Sequence, residues 1–210
     1  MTATDPREAL CRLGSSLFER GLTHGSTGNL SLRTGTGFLL TPTGVSLGAL
    51  DPACLSVLDA QGNHVDGDAP TKEALLHLAM YRERAGDRAV VHLHSVHAVA
   101  VSVLADVDTA NVLPPLTAYY AMRIGALPLL PYHAPGDPKL ADAVGHAARR
   151  HHAVLLANHG PVVSGTSLAA AADAIEELEA TARLWLMVRR EHVRTLTTEQ
   201  LDDLARRYPR

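Results

Sequence analysis

Residues 90–94 read Val-Val-His-Leu-His, and residues 153–159 read Ala-Val-Leu-Leu-Ala-Asn-His. Each segment is a short apolar run of the length typical of a buried strand, and each ends in histidine. Side chains two residues apart in a strand point to the same face, so His92 and His94 would aim two imidazoles at one point. His159 ends the second strand and is the best candidate for a third ligand. The two segments therefore predict core strands that carry three candidate metal-ligating histidines.

The chemistry of these residue types favours a divalent metal. Imidazole nitrogen is the common neutral metal ligand, and Zn²⁺ takes it at about 2.0–2.1 Å. Glu73 lies near the start of a helix predicted from Thr71 to about residue 84. There it either interacts with the helix dipole or, if it faces the histidines, acts as a fourth ligand or a general acid/base. An isolated His-x-His pair is equally consistent with polar side chains on a strand, and His77, four residues after Glu73, is assigned a structural role.

The rest of the chain alternates between helical and strand patterns. Helices are predicted over residues 5–21, 96–104, 137–150, 167–191 and 197–206. Short strands are predicted over residues 30–33, 37–41, 55–58, 64–65 and 126–132. This mixture favours an α/β arrangement of layers around one sheet, and periodicity leaves open whether the strands are parallel.

Composition restricts the function classes. The chain has 210 residues, of which 46% are hydrophobic and 20% charged, and we expect one domain over residues 1–210. Its formal net charge of −3 argues against nucleic-acid binding, which normally requires a basic surface. No segment approaches the roughly 20 apolar residues of a membrane span, and residues 1–8 lack a signal-peptide pattern. Cys11 and Cys54 are isolated, so reduced thiols and a cytoplasmic location are expected.

Two polar turns and a helix start suggest an anion site. Gly28-Asn29 and Thr43-Gly44 could present backbone N–H groups and hydroxyls, and Thr71-Lys72 adds a cation at a helix start. Each of these is equally typical of an ordinary turn. Beside a candidate metal site they point to a phosphorylated substrate.

Five short motifs make the chain resemble the class II aldolase/adducin-head family. In family order they are Gly28-Asn29-Leu30-Ser31, Thr41-Pro42-Thr43-Gly44, Thr71-Lys72-Glu73, His92-Leu93-His94 and Asn158-His159-Gly160. The resemblance extends over about residues 8–190. It implies a single three-layer αβα domain around a largely antiparallel central sheet. It also implies a homotetramer with active sites at subunit interfaces.

The resemblance further implies roles for individual residues. His92, His94 and His159 would bind a divalent metal, usually Zn²⁺, with Mn²⁺, Co²⁺ or Ni²⁺ as alternatives, and Glu73 would be the catalytic acid/base. The residues implied to contact the substrate and its phosphate are Asn29, Thr43, Gly44, Thr71 and Lys72. Further candidates for the other end of the substrate are Tyr119, Tyr120 and His133, and Tyr208 could close over the site.

One departure from the family pattern bears on the reaction. The aldolases usually carry two serines directly before the glutamate, where this chain has Thr71-Lys72. That segment and residues 132–138 are more similar to a subgroup that decarboxylates 3-oxo-tetronate 4-phosphate. The implied activity is that of a carbon–carbon lyase in acid-sugar catabolism, which forms dihydroxyacetone phosphate and CO₂ through a metal-stabilised enediolate.

Two alternatives remain at this point. A class II aldolase or epimerase acting on another sugar phosphate, such as fuculose 1-phosphate, would use the same enediolate. A non-catalytic scaffold like the adducin heads is the alternative from a different class. Those heads have lost metal ligands, whereas this chain keeps three histidines and Glu73, so the sequence favours an enzyme.

Overall fold

The strands of the protein form one sheet. A computed structural model describes residues 5–208, and residues 1–4 and 209–210 lie outside the described range. The strands are β1 (Asn29–Arg33), β2 (Gly37–Leu40), β3 (Ser56–Asp59), β4 (His64–Asp66), β5 (Ala89–His92), β6 (Leu129–Leu130), β7 (Ala153–Leu156) and β8 (Gly160–Gly165). Their order in the sheet is β4-β3-β2-β1-β5-β8-β7-β6. All neighbours are antiparallel except β6 and β7, which confirms the largely antiparallel sheet that the family resemblance implied.

Helices connect and cover these strands. They are α1 (Pro6–Glu19), α2 (Ala74–Glu83), α3 (Val96–Ser102), α4 (Ala118–Arg123), α5 (Pro138–Ala148), α6 (Leu168–Val188) and α7 (Thr198–Arg207). Asp5 and Asp137 cap α1 and α5 with their side chains, and each is followed by proline at the first helical position. The sequence patterns did not indicate α4 or β8. β8 begins and ends in glycine and contains Pro161, and it becomes a strand because it pairs with β5 on one side and β7 on the other.

The sheet separates two apolar cores, which makes the fold a three-layer sandwich. On one face, α2 and α5 contribute Leu76, Met80, Leu140 and Val144 to a core that includes Val90. On the other face, α1, α3, α4 and α6 cover a larger core, which includes Val91 and Leu93. Side chains alternate along β5, so His92 lies on the same face as Val90 and is directed towards α2. This alternation places the first candidate ligand at the start of α2.

Helix α6 is the longest helix of the described range, with 21 residues. One face packs in the larger core through Ile175 and Leu178. The buried carboxylate of Glu179 reaches α3 and accepts hydrogen bonds from the backbone N–H groups of His97 (3.0 Å) and Ala98 (2.8 Å). This interaction satisfies two donors at the beginning of the helix that follows His94. Within residues 5–208, no helix is long and apolar enough to cross a bilayer.

Candidate metal centre

His92 and His94 converge, although only one of them lies in the strand. The prediction placed both in a strand over residues 90–94, but β5 ends at His92. The chain stays close to β8 for one more residue, because the N–H of Leu93 donates to the carbonyl of Pro161 at 3.2 Å. His94 therefore continues the strand direction before α3 begins. The Nε2 atoms of His92 and His94 lie 3.2 Å apart, so the expected convergence is present.

The tight turn between β7 and β8 positions His159. Asn158 in this turn has a φ of 56°, a left-handed conformation that asparagine tolerates better than most residues. Gly160 follows because a Cβ atom there would lie 2.2 Å from the carbonyl oxygen of Leu93. The chain can approach β5 this closely only without a side chain at position 160. The Nε2 atom of His159 consequently lies 3.3 Å from Nε2 of His92.

The three imidazoles present nitrogen atoms that fit a common cation. The carbonyl of Pro161 can only accept, so Nδ1 of His92 donates to it at 2.8 Å. In the neutral ring, Nε2 of His92 then carries a lone pair directed at the other two rings. Nitrogen ligands at about 2.0–2.1 Å from a tetrahedral ion lie about 3.3 Å apart. The separations of 3.2 and 3.3 Å between these nitrogens match that spacing.

Glu73 completes this cluster. Helix α2 begins at Ala74 rather than near Thr71, so Glu73 is the N-cap residue, yet its side chain makes no capping hydrogen bond. Its Oε2 lies 3.2 Å from Nε2 of His92, and its Oε1 lies 3.2 Å from Nε2 of His159. Oε1 is buried and accepts no hydrogen bond. Of the two roles open to Glu73 from the sequence, the structure favours the one in which it faces the histidines.

Four side chains form a group that could hold a metal ion: Glu73, His92, His94 and His159. Each offers one ligand atom, and these four atoms lie within 4.8 Å of one another. All four side chains are buried or half-buried, the ring nitrogens face one another, and one carboxylate oxygen has no hydrogen bond. Without a cation, this arrangement carries an uncompensated desolvation cost. The donor set of three imidazoles and a carboxylate suits Zn²⁺ and neighbouring divalent ions. The residues present therefore fit the divalent metal that the family resemblance implied.

The electrostatics of the cluster keep two rings neutral. Burial, followed by the charge of His92, lowers the pKa of His94 to about 3 and that of His159 to about 4. Burial alone would raise the pKa of Glu73, but the charge and hydrogen bond of His92 outweigh it, and the pKa is lowered. Burial opposes a charge on His92 as well, and the Glu73 carboxylate reverses the effect and raises its pKa. At neutral pH, His94 and His159 are thus ready to act as ligands without losing a proton.

Asn29 contacts Glu73 directly. Its Nδ2 donates to Oε2 of Glu73 at 2.8 Å, and its Oδ1 lies 2.5 Å from Nε2 of His77. Both polar ends of the Asn29 side chain are therefore engaged within the protein. The predicted contact between Asn29 and a substrate phosphate remains a prediction.

The other predicted phosphate residues are brought together by backbone hydrogen bonds. The N–H of Thr43 donates to Ala69, and the N–H of Thr71 donates to Thr41, at 2.9 and 3.2 Å. Thr43 and Gly44 are exposed at this junction, and the side chain of Lys72 is exposed beside it. The Thr71 hydroxyl accepts from the N–H of Glu73 at 3.3 Å. These residues thus lie on the segments next to Glu73, and their contact with substrate stays a prediction.

The aromatic candidates occupy different environments. Tyr120 is fully buried in the larger core, whereas Tyr119 is 61% exposed. Tyr208 is 53% exposed and lines a groove between α4 and α7. His133 is half-buried in the segment before α5. The roles predicted for these four residues stay predictions.

A groove of about 470 Å³ opens beside the candidate metal ligands His94 and His159. Tyr132 and His24 line it, and neither was a predicted site residue. Both lie in or next to segments that the sequence marked, Tyr132 in residues 132–138 and His24 shortly before the Gly28-Asn29 turn. The sequence thus indicated the segments near the site but not these individual residues.

A polar ladder, which is a row of hydrogen-bonded polar side chains between β1 and α2, was also not predicted from the sequence. Ser31 lies two residues after Asn29 on the same face of β1. His77 and Tyr81 lie four and eight residues after Glu73 on one face of α2. The combined spacing of two in the strand and four in the helix is the signal that could have revealed the ladder.

Residues 8–186 match the sequence family described as the class II aldolase and adducin N-terminal domain. The chain is 46% identical over 208 residues to 3-oxo-tetronate 4-phosphate decarboxylase from Haemophilus influenzae, which covers 99% of this chain and 99% of that protein. It is 34% identical over 168 residues to L-fuculose phosphate aldolase from Escherichia coli K12, which covers 79% of this chain and 75% of that protein. The crystal structure of YgbL from Escherichia coli superposes with a TM-score of 0.92 at 47% identity, and covers 94% of this chain and 96% of that one.

Proposed function

The chain belongs to the class II aldolase and adducin N-terminal domain family, and from this premise we propose that it converts 3-oxo-tetronate 4-phosphate to dihydroxyacetone phosphate and CO₂. The observation that carries the proposal is the likeness to a decarboxylase over nearly the full length of both chains. Such a likeness includes the segments proposed to contact the substrate as well as the proposed metal ligands. The likeness to the aldolase is weaker and covers less of either chain.

His92, His94 and His159 would hold the divalent ion, with Glu73 adjacent as a fourth group. When bound, the ion acts as a Lewis acid that withdraws electron density from the substrate oxygens next to the bond that breaks. Three imidazoles favour Zn²⁺, and we propose Zn²⁺ as the native ion, with Mn²⁺, Co²⁺ and Ni²⁺ as the alternatives that a metal analysis would distinguish.

Glu73 is the proposed proton carrier. Loss of CO₂ leaves an electron pair on C2 of the substrate, and one proton must join C2 to give dihydroxyacetone phosphate. Oε1 of Glu73 is the carboxylate oxygen that has no hydrogen bond within the protein, so it is free to exchange this proton. Because neighbouring charges keep Glu73 ionised in the free site, it has to take up the proton from the bound substrate or from solvent during the cycle.

Burial and hydrogen bonding hold these groups in place. Asn29 donates to Oε2 of Glu73, and the carbonyl of Pro161 orients His92. The side chains of Glu73, His92 and His159 are each less than a tenth exposed, so little water reaches the reacting atoms. Fixed dipoles in such a site act more strongly on a developing charge than they would in water.

Lys72 and the turn at Thr43-Gly44 are proposed to contact the substrate. The exposed ammonium of Lys72 could pair with the carboxylate or with the phosphate, and the Thr43-Gly44 turn and Thr71 supply polar groups for the phosphate. Asn29, Tyr119, Tyr120 and His133 remain further candidates. Exchange of Lys72 for methionine, which retains much of the length, should raise KM for the phosphorylated acid while metal content stays the same.

We propose that the protein is a single-domain homotetramer in the cytoplasm. Val96 and Tyr132 are 61% and 62% exposed beside the groove next to the metal ligands. Large apolar side chains at such a location are typical of a surface that another subunit covers. Half-buried free thiols at Cys11 and Cys54 suit a reducing compartment.

The test is a measurement of CO₂ from metal-loaded protein supplied with 3-oxo-tetronate 4-phosphate. We expect one CO₂ per substrate consumed, and one solvent deuterium in the dihydroxyacetone phosphate when the reaction runs in D₂O. Fuculose 1-phosphate serves as the comparison substrate. Aldehyde release from fuculose 1-phosphate without CO₂ from the four-carbon acid would contradict the proposal and assign the aldolase alternative.

A further inference from the structure

We infer that His77 is a positioning residue: as the central member of a one-directional chain of hydrogen bonds, it sets the orientation in which Asn29 holds Glu73. The chain connects β1 and α2 through buried side chains. Its members, in order from the cluster, are Glu73, Asn29, His77, Ser31 and Tyr81.

The direction of each hydrogen bond follows from the one before it. The carboxylate of Glu73 only accepts, so the amide nitrogen of Asn29 must face it, at 2.8 Å. The amide oxygen of Asn29 then faces His77 and only accepts, so Nε2 of His77 must carry the hydrogen. The ring of His77 is fully buried and its two nitrogens contact only the uncharged side chains of Asn29 and Ser31, so the ring is neutral and its Nδ1 has no hydrogen.

The remaining two bonds continue in the same sense. Nδ1 of His77 accepts from the Ser31 hydroxyl at 2.7 Å. The single hydrogen of Ser31 is used there, so the hydroxyl of Tyr81, at 2.8 Å, must donate to Ser31. Burial raises the pKa of Tyr81, which keeps this hydrogen on the phenol. All five side chains are less than a tenth exposed, so no water is needed to complete the chain.

This order has a consequence for the cluster. Without a donor at position 77, the amide oxygen of Asn29 would be buried without a hydrogen bond, and the amide would be fixed only at the end that contacts Glu73. With His77 in place, Oε2 of Glu73 is held and Oε1 is left for the proton. The effect on turnover rests on the proposed function, whereas the tautomer of His77 does not.

The first experiment measures the tautomer directly in zinc-loaded protein labelled with ¹⁵N-histidine. Long-range ¹H–¹⁵N spectra distinguish a protonated ring nitrogen from one that accepts a hydrogen bond. We expect hydrogen on Nε2 and an accepting Nδ1 for His77, and a changed Nδ1 shift in Ser31→Ala. A His77 ring with hydrogen on Nδ1, or a charged ring at neutral pH, would overturn the inference whatever the protein catalyses.

The second experiment compares kcat and KM for CO₂ release in two variants of the same position. His77→Gln keeps a donor for Asn29 and should retain kcat within about threefold, whereas His77→Leu should lower kcat by about 10- to 100-fold. KM and the zinc content should change little in either variant, because neither residue touches the substrate or the ion. Equal kcat in folded, zinc-loaded His77→Gln and His77→Leu would overturn the inference.

Two further variants keep the test independent of how well His77→Leu folds. Ser31→Ala removes the donor to Nδ1 and should lower kcat by about three- to tenfold, while Tyr81→Phe, one bond further away, should lower it less. A Tyr81→Phe effect as large as that of Ser31→Ala would contradict the order of the chain. Absence of CO₂ release from the wild-type protein, with the expected tautomer present, would refute the proposed function and leave the hydrogen-bond chain standing.

Discussion

A buried acid and a histidine lie near each end of strand β5, but the acid at one end has an oxygen without a hydrogen bond and the acid at the other end is hydrogen-bonded and ion-paired. At the carboxyl end, His92 meets His94, His159 and Glu73, and Oε1 of Glu73 accepts no hydrogen bond. Before the amino end, Asp87 accepts from Arg84 at 2.6 Å and from the Ser164 hydroxyl at 2.5 Å.

The end near Asp87 has an acid, a histidine and a serine, which is the composition of a catalytic group, but the contacts among them differ from those of such a group. Nδ1 of His152 donates to the backbone carbonyl of Ser164 at 3.0 Å, not to its hydroxyl. The acid there is neutralised by Arg84, three residues before it, and its hydrogen bond with the Ser164 hydroxyl joins parts of the chain that are 77 residues apart. At the end near Glu73, by contrast, Nε2 of His92 faces the Nε2 atoms of His94 and His159. Facing ring nitrogens beside a carboxylate oxygen with no hydrogen bond fit a cation, whereas an acid that is paired with arginine and hydrogen-bonded to serine fits a structural role.

The largest effect should come from the metal ligands. His159→Ala removes one of the three nitrogens proposed to hold the ion, so we expect loss of stoichiometric metal and at least about a 10⁴-fold loss of CO₂ release. Metal content by elemental analysis and turnover on the same sample check this. His152→Ala is the matched change at the other end of the sheet, and should leave metal content at the wild-type value.

Glu73→Gln should separate metal binding from catalysis. The amide cannot carry the proton to C2, so kcat should fall by about 10²- to 10⁴-fold, the usual contribution of a positioned acid/base. The three histidines remain, and we expect nearly one ion per chain. Full turnover in this variant would remove Glu73 from the mechanism, and loss of the ion would make it chiefly a ligand.

At the opposite end, Asp87→Ala should affect stability alone. It removes the acceptor of the short hydrogen bonds from Arg84 and Ser164 and leaves each with only a backbone carbonyl at 3.4 Å, which we expect to cost about 2–3 kcal/mol of unfolding free energy. Urea unfolding measures this loss. Turnover per folded, metal-loaded molecule should equal that of the wild type, and a specific fall in kcat would show that the two ends are coupled.

The smallest effect concerns pH. His77 has a folded-state pKa of about 3, below its ordinary value near 6.5, so the unfolded chain binds more protons between these pH values. Stability therefore falls as pH decreases below about 6.5, by about 1 kcal/mol from this group between pH 6.5 and 5.5. Metal-free wild type and His77→Gln should differ by this amount in urea unfolding over that interval. Identical pH dependence would mean that His77 is not the buried neutral group described.

The site was more predictable than the sheet that carries it. The short motifs around His92, His159 and Glu73 identified the cluster because each ligand lies at a recognisable point of its own segment. The order of the strands was not accessible in this way. β8 has a weak strand pattern of its own, and it exists because β5 and β7 satisfy its backbone on both sides.

The sequence by itself determined the family, the layered α/β class and the identities of the residues that meet in the candidate metal cluster. Only the tertiary structure decided that Asn29, 44 residues before Glu73, holds that carboxylate, and that His77, Ser31 and Tyr81 continue the chain of hydrogen bonds. In sequence, Asn29 is a turn residue and Glu73 is an acid at a helix start, and local patterns assign each a local role. Their actual partners follow from the packing of β1 against α2, because a buried polar side chain must find its hydrogen bonds among whatever the fold places beside it.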